Sequence, residues 1–447
     1  MSDVKAALHE PATRKAMMRL LPIIGIAYFM SYVDRTNVAL AKTALEADVG
    51  ISAAAYGLGA GLFFVTYALL EVPSNLVLYR VGPRIWITRI AVTWGAVSAA
   101  MMFVQNEASF YVLRLLLGAA EAGLFPALMF MVTVWFSQKH RVTMVGLIYT
   151  APCVAIFIGS PMGGALMELN GAGGLHGWQW MFLIEGLATI LVGFVVWFGL
   201  PNRPSDAKWL TPDEAAVLTE QATANDAPTA TKVRGNFRLA FGRPVILLLA
   251  AIYFVNQAIA SGVGFNFPAV LQALGLESSF QIGLVAGSGG ISGLAGVLTW
   301  AWLGRRYPGR EVLFIGIGAA STLVLMTGFL VSTDAVFRVV LIFLSSFFGL
   351  GTLPLFWSVA MSRMAGAIAA AGLAFINTIG ITGGFVGPFV YGQIEESTGS
   401  LFAPYYTIVV AACVGLALVF VLAAVMRRER RGGEAQPVPE ESVPEPA

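Results

Sequence analysis

The chain has 447 residues, of which 57% are hydrophobic and only 12% are charged. That is about half the charged fraction of an ordinary soluble domain. Apolar stretches of about 20 residues recur along the chain, a length typical of membrane-spanning helices. The formal net charge of +2 comes from basic residues scattered along polar stretches, so it gives no indication of nucleic-acid binding. Both cysteines lie inside apolar segments and imply no disulfide framework.

Hydrophobic stretches predict an all-α membrane protein with twelve transmembrane helices. In chain order the spans are expected at 18–41, 53–79, 84–104, 109–136, 143–168, 178–200, 244–270, 280–303, 311–332, 336–362, 366–392 and 404–426. The longest polar stretch divides them into two groups of six. We therefore expect an N-terminal six-helix bundle (1–200), a cytoplasmic linker (201–243), a C-terminal six-helix bundle (244–426) and a disordered tail (427–447).

The basic residues predict the orientation of these spans. Of 27 lysines and arginines, Arg35 and Arg114 lie within spans, and only Lys42 and Arg338 fall on the side opposite the chain termini. Since positive charge accumulates in cytoplasmic loops, both termini are expected in the cytoplasm. The predicted location is a bacterial inner membrane, crossed many times.

The linker contains a helix start, Thr211-Pro212-Asp213-Glu214. Threonine is a good N-cap, proline suits the first helical position, and the glutamate can complete a capping box. A short helix on the cytoplasmic face is therefore predicted between the two bundles.

The two bundles look like repeats of each other. The motif Gly123-Leu-Phe-Pro126 in the fourth span matches Gly351-Thr-Leu-Pro354 in the tenth, and Val33-Asp34-Arg35 in the first span matches Val255-Asn256-Gln257 in the seventh. Parallel repeats with a site between them are a known transporter architecture. The second half offers only neutral hydrogen-bonding and aromatic groups to such a site, of which the most obvious are Asn256, Gln257, Trp357 and Asn377.

Four ionisable residues lie deep in predicted spans of the first half: Asp34 and Arg35 in the first, Arg114 and Glu121 in the fourth. Buried membrane charges usually line a substrate or ion path. Because a carboxylate can take up a proton and an arginine cannot, the presence of both signs indicates a carrier for an anion that is driven by protons. The four charges sum to zero, so an added carboxylate favours binding of a proton, which is the linkage that symport requires.

Sequence neighbours suggest how these four residues interact. Glu121 has only Ala and Gly beside it and is expected to be protonated before substrate arrives. Arg114 lies two helical turns earlier, about 10 Å along the axis, and a substrate carboxylate could bridge the gap; a purely structural pair is the alternative. Asp34 and Arg35 point about 100° apart, so each is expected to have its own partner. Structural roles are favoured for Glu71, near Arg80 or Arg84, and for Glu185.

Several motifs resemble the anion:cation symporter family of the major facilitator superfamily. They are Tyr32-Val-Asp34-Arg35-Thr-Asn37, Glu71-Val-Pro73-Ser74-Asn75, Arg80-Val-Gly82-Pro-Arg84, Arg114…Gly118-Ala-Ala-Glu121-Ala-Gly123-Leu-Phe-Pro126, Trp135-Phe136…Arg141, Gly177-Trp178-Gln179-Trp180…Glu185-Gly186 and Arg203-Pro204…Trp209-Leu210. The later motifs look like the phthalate and tartrate transporter branch. This resemblance implies the major facilitator fold, alternating access and proton-coupled uptake of small organic acids. It also implies that Asp34 and Glu121 are the proton-coupling residues and that Arg35 and Arg114 bind the substrate anion. The pocket-lining residues that it implies are Tyr32, Tyr67, Trp357 and Asn377.

The resulting hypothesis is a proton-coupled symporter that imports a small organic anion, such as an aromatic dicarboxylate, a tartrate-like acid or a sugar acid. Sodium-coupled symport and organic-anion exchange are the alternatives within transport. A membrane enzyme is disfavoured because His9, His140 and His176 all lie outside the predicted spans without ligand spacing. No cofactor, metal or nucleic acid is expected, and the protein is expected to be a monomer in the lipid bilayer.

Overall fold

The computed structural model describes residues 2–223, 243–363 and 366–434, and these residues contain helices but no strands. Three short 3₁₀ turns occur as well. The α-helices are α1 (Ser2–Val49), α2 (Ala53–Val81), α3 (Pro83–Ala100), α4 (Glu107–Glu121), α5 (Leu124–Trp135), α6 (Gln138–Ile148), α7 (Ala151–Met167), α8 (Gly177–Gly199), α9 (Pro212–Thr223), α10 (Pro244–Ala273), α11 (Ser279–Arg306), α12 (Glu311–Val331), α13 (Ala335–Gly349), α14 (Leu353–Ser362), α15 (Gly366–Thr398) and α16 (Tyr405–Glu434).

Twelve helical segments in the described ranges are long and apolar enough to cross a membrane, which confirms the predicted number. Nine spans are single helices, whereas the fourth (α4–α5), fifth (α6–α7) and tenth (α13–α14) each comprise two. Because twelve is even, Ser2 and Glu434, the two ends of the described chain, lie on the same side of the spans. We call this the terminal side and the opposite face the far side.

The first helix is longer than the predicted span 18–41. It runs from Ser2 to Val49 without interruption, although it contains Pro11 and Pro22. The residues after 41 include Ala, Lys, Leu and Glu, which all favour helix. Lys42 was therefore wrongly assigned to a loop, and its side chain is buried in the structure.

The fourth and tenth spans are broken at equivalent places, as the repeated motif suggests. Gly123 has a φ of 90° and separates α4 from α5 immediately after Glu121. A Cβ at this position would lie 2.1 Å from the Ser74 hydroxyl, and that hydroxyl donates to the Ala122 carbonyl at 2.7 Å. In the tenth span, the break between α13 and α14 includes Gly351.

The two halves meet through closely packed, glycine-rich helices. Helix α2 lies against α15, where a Cβ on Gly57 would approach the Pro388 carbonyl to 2.3 Å. Helix α7 lies against α11, where a Cβ on Gly290 would approach the Cys153 carbonyl to 2.4 Å. Small residues let backbones come this close and maximise van der Waals contact. These contacts occupy the far-side half of α2.

The linker helix forms where the capping box predicts it. Thr211 Oγ1 accepts from the Glu214 amide at 3.2 Å, and Glu214 Oε2 accepts from the Thr211 amide at 2.8 Å. Glu214 also pairs with Lys15 of α1 at 3.0 Å. The remainder of the expected linker, 224–242, lies outside the described residues. Helix α16 continues to Glu434, so the first part of the expected disordered tail is helical, and 435–447 also lie outside the described residues.

Candidate functional site

An ion pair between the first and fourth spans forms the centre of the candidate site. Arg35 Nη2 on α1 donates to Glu121 Oε1 at the end of α4, at 2.9 Å. The Glu121 side chain is 1% exposed, whereas the Arg35 side chain is 24% exposed. The expectation that Glu121 has no partner was therefore wrong, because it considered only neighbours in sequence and the cation comes from another helix.

Aromatic rings surround Arg35. Its guanidinium carbon lies 4.7 Å from the ring centroid of Tyr32, 5.4 Å from that of Phe63 and 5.9 Å from that of Tyr67. Arg35 Nε has no hydrogen-bond partner, and neither does Glu121 Oε2. Arg35 thus combines partial exposure with flat aromatic walls, which suits binding of an organic carboxylate.

Arg114 occupies a different environment. Its residue exposure is 1%, and it donates to the carbonyls of Gly59 at 3.1 Å and Ala60 at 3.0 Å on α2. Its guanidinium also lies over the Phe63 ring, at 5.0 Å. Carbonyl acceptors on a neighbouring helix indicate that Arg114 stabilises the packing of α2 against α4. Of the two arginines, Arg35 is therefore the more accessible to a substrate.

Asp34 has its own partner, as expected from its position beside Arg35. Ser98 on α3 donates its hydroxyl to Asp34 Oδ1. The aspartate is 4% exposed, and Ser98 is 1% exposed. Asp34 and Arg35 are therefore held by different helices, and neither pairs with the other in the structure.

The predicted second-half residues separate into two groups. Asn256 and Gln257 line a cavity of ≈ 260 Å³ whose walls come mainly from second-half helices, and the charged residues of the first half do not line it. Asn377 instead donates to Glu71 at 3.4 Å, a contact between the halves. Glu71 therefore does not pair with Arg80 or Arg84 as predicted.

Trp357 packs with its own half. Its ring is edge-on to Tyr253, with centroids 5.2 Å apart, and it also contacts the ring of Phe356 at 5.4 Å. Trp357 is partly exposed. The pocket-lining role of Trp357 therefore stays a prediction.

A buried ion pair near the far side was missed by sequence reasoning. Lys42 Nζ on α1 lies 2.6 Å and 2.8 Å from the two carboxylate oxygens of Glu395 on α15, and 3.3 Å from Glu46. The Lys42 side chain is 1% exposed and that of Glu395 is 10% exposed. A signal existed in the sequence, because Lys42 and Glu46 have the i, i+4 spacing of one helix face.

Further hydrogen bonds join the halves near the same side. Glu396 accepts from the Ala54 amide at 2.7 Å. Glu168, just after the fifth span, accepts from the Ser278 hydroxyl at 2.7 Å and from the Phe280 amide at 3.1 Å, which lowers the pKa of its carboxyl. Among the described residues, polar contacts between the halves are thus concentrated at the far side, and from these contacts we infer that this side is closed.

The described residues include no group of three or more His, Cys, Asp or Glu side chains placed to hold a metal ion. The arrangement offers two arginines, several buried carboxylates and a set of aromatic rings. Guanidinium groups can hold anions and buried carboxylates can take up protons.

Comparisons with known proteins identify the family of this chain. The family model described as Major Facilitator Superfamily matches residues 24–388. A protein of Agrobacterium vitis named "Putative tartrate transporter" is 37% identical over 95% of this chain and 97% of its own length. A "Quinolone resistance transporter" of Acinetobacter baumannii is 35% identical over 93% of this chain and 96% of its own length.

Solved structures share the fold. The crystal structure of a bacterial homologue of the human lysosomal transporter Spinster, described as inward-facing and occupied, superposes with a TM-score of 0.76 at 14% identity, covering 91% of this chain and 96% of that one. Fold, length and sequence therefore agree, and both the twelve-helix architecture and the prediction of a transporter rather than an enzyme are confirmed. The chain is a multi-pass membrane protein and belongs to the Major Facilitator Superfamily of transporters.

Proposed function

We propose that this transporter is a proton-coupled symporter that imports a small organic anion by alternating access. The observation that carries the proposal is the Arg35–Glu121 ion pair, in which a partly exposed guanidinium holds a buried carboxylate. Tyr32 and Tyr67 beside the guanidinium suit an aromatic dicarboxylate, a tartrate-like acid or a sugar acid. The name of the Agrobacterium vitis relative supports the tartrate-like class.

The ion pair suggests how substrate and proton are linked. A substrate carboxylate that binds Arg35 competes with Glu121 for the same guanidinium. Once displaced, Glu121 would be a buried carboxylate without a cation, a state that is strongly unfavourable unless the group takes up a proton. Anion and proton binding therefore favour each other, as symport requires. Asp34, held by Ser98, is the second proton-coupling candidate.

The distribution of Lys and Arg supports an orientation with both termini in the cytoplasm. On this proposal the closed far side is the periplasmic side, and the structure corresponds to a state closed to the periplasm. The Lys42–Glu395 pair and the Glu168–Ser278 hydrogen bond would then have to break each time the site opens to the periplasm.

The test uses purified protein in proteoliposomes with radiolabelled tartrate, phthalate and gluconate. An imposed inward proton gradient should drive accumulation of at least one acid, and a pH-sensitive dye inside the vesicles should report protons entering with it. Glu121→Gln should abolish accumulation but retain counterflow exchange. Glu311→Gln, which changes a partly exposed carboxylate at the start of α12, serves as the control. Accumulation that persists in Glu121→Gln would refute its assignment.

The alternatives are separated by the driving force. Accumulation driven by a sodium gradient at equal pH would identify sodium coupling, and counterflow without any gradient-driven accumulation would identify an exchanger. The quinolone-resistance relative makes the direction of transport worth measuring, and the same vesicles can be loaded with each acid to assay efflux.

A further inference from the structure

Glu185 is a buried carboxylate of the first half that has no cationic partner. Glu185 on α8 is 3% exposed, and Asn37 on α1 is 0% exposed. Asn37 Nδ2 donates to Glu185 Oε2. The two remaining atoms of the pair, Glu185 Oε1 and Asn37 Oδ1, are both buried without a hydrogen-bond partner among the described residues. An amide and a carboxylate that share one hydrogen bond therefore each leave one acceptor unused.

A proton would satisfy both atoms. If Glu185 is ionised, Oε1 and the Asn37 carbonyl oxygen are both acceptors, and neither can donate. If Oε1 carries a proton, it becomes a donor that the Asn37 oxygen can accept, so that planar amide and planar carboxyl can share two hydrogen bonds. Since an unsatisfied buried polar group costs about 1–3 kcal/mol, the closed packing of this pair favours the protonated acid.

On the neighbouring helix α1, the cations near Asn37 are already paired with other carboxylates, and the remaining charged group is itself a carboxyl. Asp34, one turn before Asn37, accepts from Ser98 of α3. Arg35 pairs with Glu121, and Lys42 pairs with Glu395. Near Asn37, α1 therefore contributes a second carboxyl group, that of Asp34, and no unpaired cation.

The other helices packed against α8 do not supply a cation either. On α3, Arg84 donates to the Trp197 carbonyl at 2.5 Å, and Arg89 lies over the Trp86 ring at 3.9 Å. Helix α7 contributes the buried thiol of Cys153. Among the described residues, Asn37 is therefore the hydrogen-bond partner of the Glu185 side chain, and no ion pair neutralises it.

Glu185 and Asp34 lie at different distances from the far side. At 1.5 Å per residue, Glu185 lies about 12 Å from the far-side end of α8, and Asp34 about 22 Å from the far-side end of α1. Glu185 is thus nearer the far side than Asp34 is. A proton entering from that side would reach Glu185 first.

We propose that Glu185 is a third proton-binding residue of the transport cycle, which takes a proton from the far side and passes it to Asp34. The transfer is balanced: the O–H bond of the Glu185 acid breaks, a new O–H bond forms on Asp34, and Glu185 is left as the carboxylate bound by Asn37. The inference rests on the proposed proton coupling. It adds a residue that lies outside the Arg35–Glu121 ion pair and does not contact the substrate.

The test is the number of protons that enter with each substrate molecule. It is measured in proteoliposomes with an internal pH-sensitive dye and radiolabelled tartrate, replaced by phthalate or gluconate if tartrate is not carried. Glu185→Gln can form both hydrogen bonds with Asn37 but cannot release a proton. We expect its ratio to fall by one proton per substrate, with counterflow exchange retained and the ratio of the Glu311→Gln control unchanged.

Each outcome has a defined meaning. A wild-type protein that moves no protons with substrate would overturn the proposed function itself. A coupled wild type with the same ratio in Glu185→Gln would overturn the role of Glu185 alone and make the pair structural. If Glu185→Gln does not fold, Glu185→Asp retains an ionisable carboxyl in altered geometry: a displaced pH profile of uptake supports the proposal, and a profile that superimposes on the wild type refutes it.

Discussion

The Lys42–Glu395 ion pair predicts how the closed far side can be opened by one substitution. Lys42→Met keeps an unbranched apolar stem, one atom shorter than lysine, but removes the ammonium that lies 2.6 Å from Glu395. In the closed state Glu395 would then be a nearly buried carboxylate without a cation. In a state open to the far side, water could solvate it. The substitution therefore raises the free energy of the closed state selectively.

The magnitude follows from the burial of the pair. Removing one partner of a buried ion pair costs about 3–5 kcal/mol. We take the lower limit, because Glu395 retains 10% side-chain exposure and lies near a helix end. At about 1.4 kcal/mol per factor of ten, a shift of about 3 kcal/mol changes the ratio of open to closed states on the order of 100-fold.

The assay measures access to a crevice of ≈ 220 Å³ near the far side that both halves line, with Leu40 of α1 and Gln272 of α10 among its residues. Ile282 is 8% exposed and lies in this crevice. Ile282→Cys, in a background in which Cys153 and Cys413 are replaced by alanine, would be labelled by a membrane-impermeant thiol reagent added from the far side. Lys42→Met should raise the labelling rate on the order of 100-fold. Lys15→Met, which breaks the partly exposed Lys15–Glu214 pair on the terminal side, is the matched control and should leave the labelling rate unchanged.

Adding Glu395→Gln to Lys42→Met should reverse most of the effect, because a neutral amide costs much less to bury than a carboxylate. An unchanged labelling rate in Lys42→Met would show that the ion pair does not stabilise the closed state. A raised rate that Glu395→Gln fails to lower would show that lost packing, and not the uncompensated charge, is responsible.

Three further predictions follow from the contacts. Arg35→Lys should weaken substrate affinity at least about tenfold, because an ammonium lacks the two-pronged geometry of guanidinium, whereas Arg114→Lys should chiefly lower thermal stability; equal affinity losses would contradict this division. Gly290→Ala forces a Cβ to within 2.4 Å of a facing carbonyl and should destabilise the protein by about 1–3 kcal/mol. Gly146→Ala, which has open space around it, should not destabilise the protein. Calorimetric melting temperatures of the two variants test this prediction. The hydrogen bonds that lower the pKa of Glu168 are made to its carboxylate form. They therefore stabilise the closed state fully at pH values above the ordinary glutamate pKa. This stabilisation is lost as the pH on the far side falls through the lowered pKa of Glu168. Spin-label distances across the far side should therefore lengthen on acidification below pH about 4, and Glu168→Gln should lose this pH dependence.

Hydropathy alone was sufficient to predict the class of protein, the number of spans and their division into two halves. These properties are local, because each span must be apolar over its own length whatever its neighbours are. The repeated Gly and Pro residues indicated that the two halves are related, but the break after Glu121 was not predicted. It became visible only in the structure, where Gly123 has a φ of 90°, a conformation that glycine adopts readily. The rarity of charge in a membrane also identified Asp34, Arg35, Arg114 and Glu121 before any contact was known.

Which charge pairs with which was decided only by the tertiary structure. Arg35 and Glu121 are 86 residues apart, and Lys42 and Glu395 are 353 apart, so no spacing rule within a helix could pair them. Arg114 shares a helix with Glu121, yet its donors go to backbone carbonyls of α2, because α2 packs against α4 there. An ion pair in a membrane depends on which helices are neighbours and on how far each is rotated. Both are set by packing between spans that the local sequence does not encode.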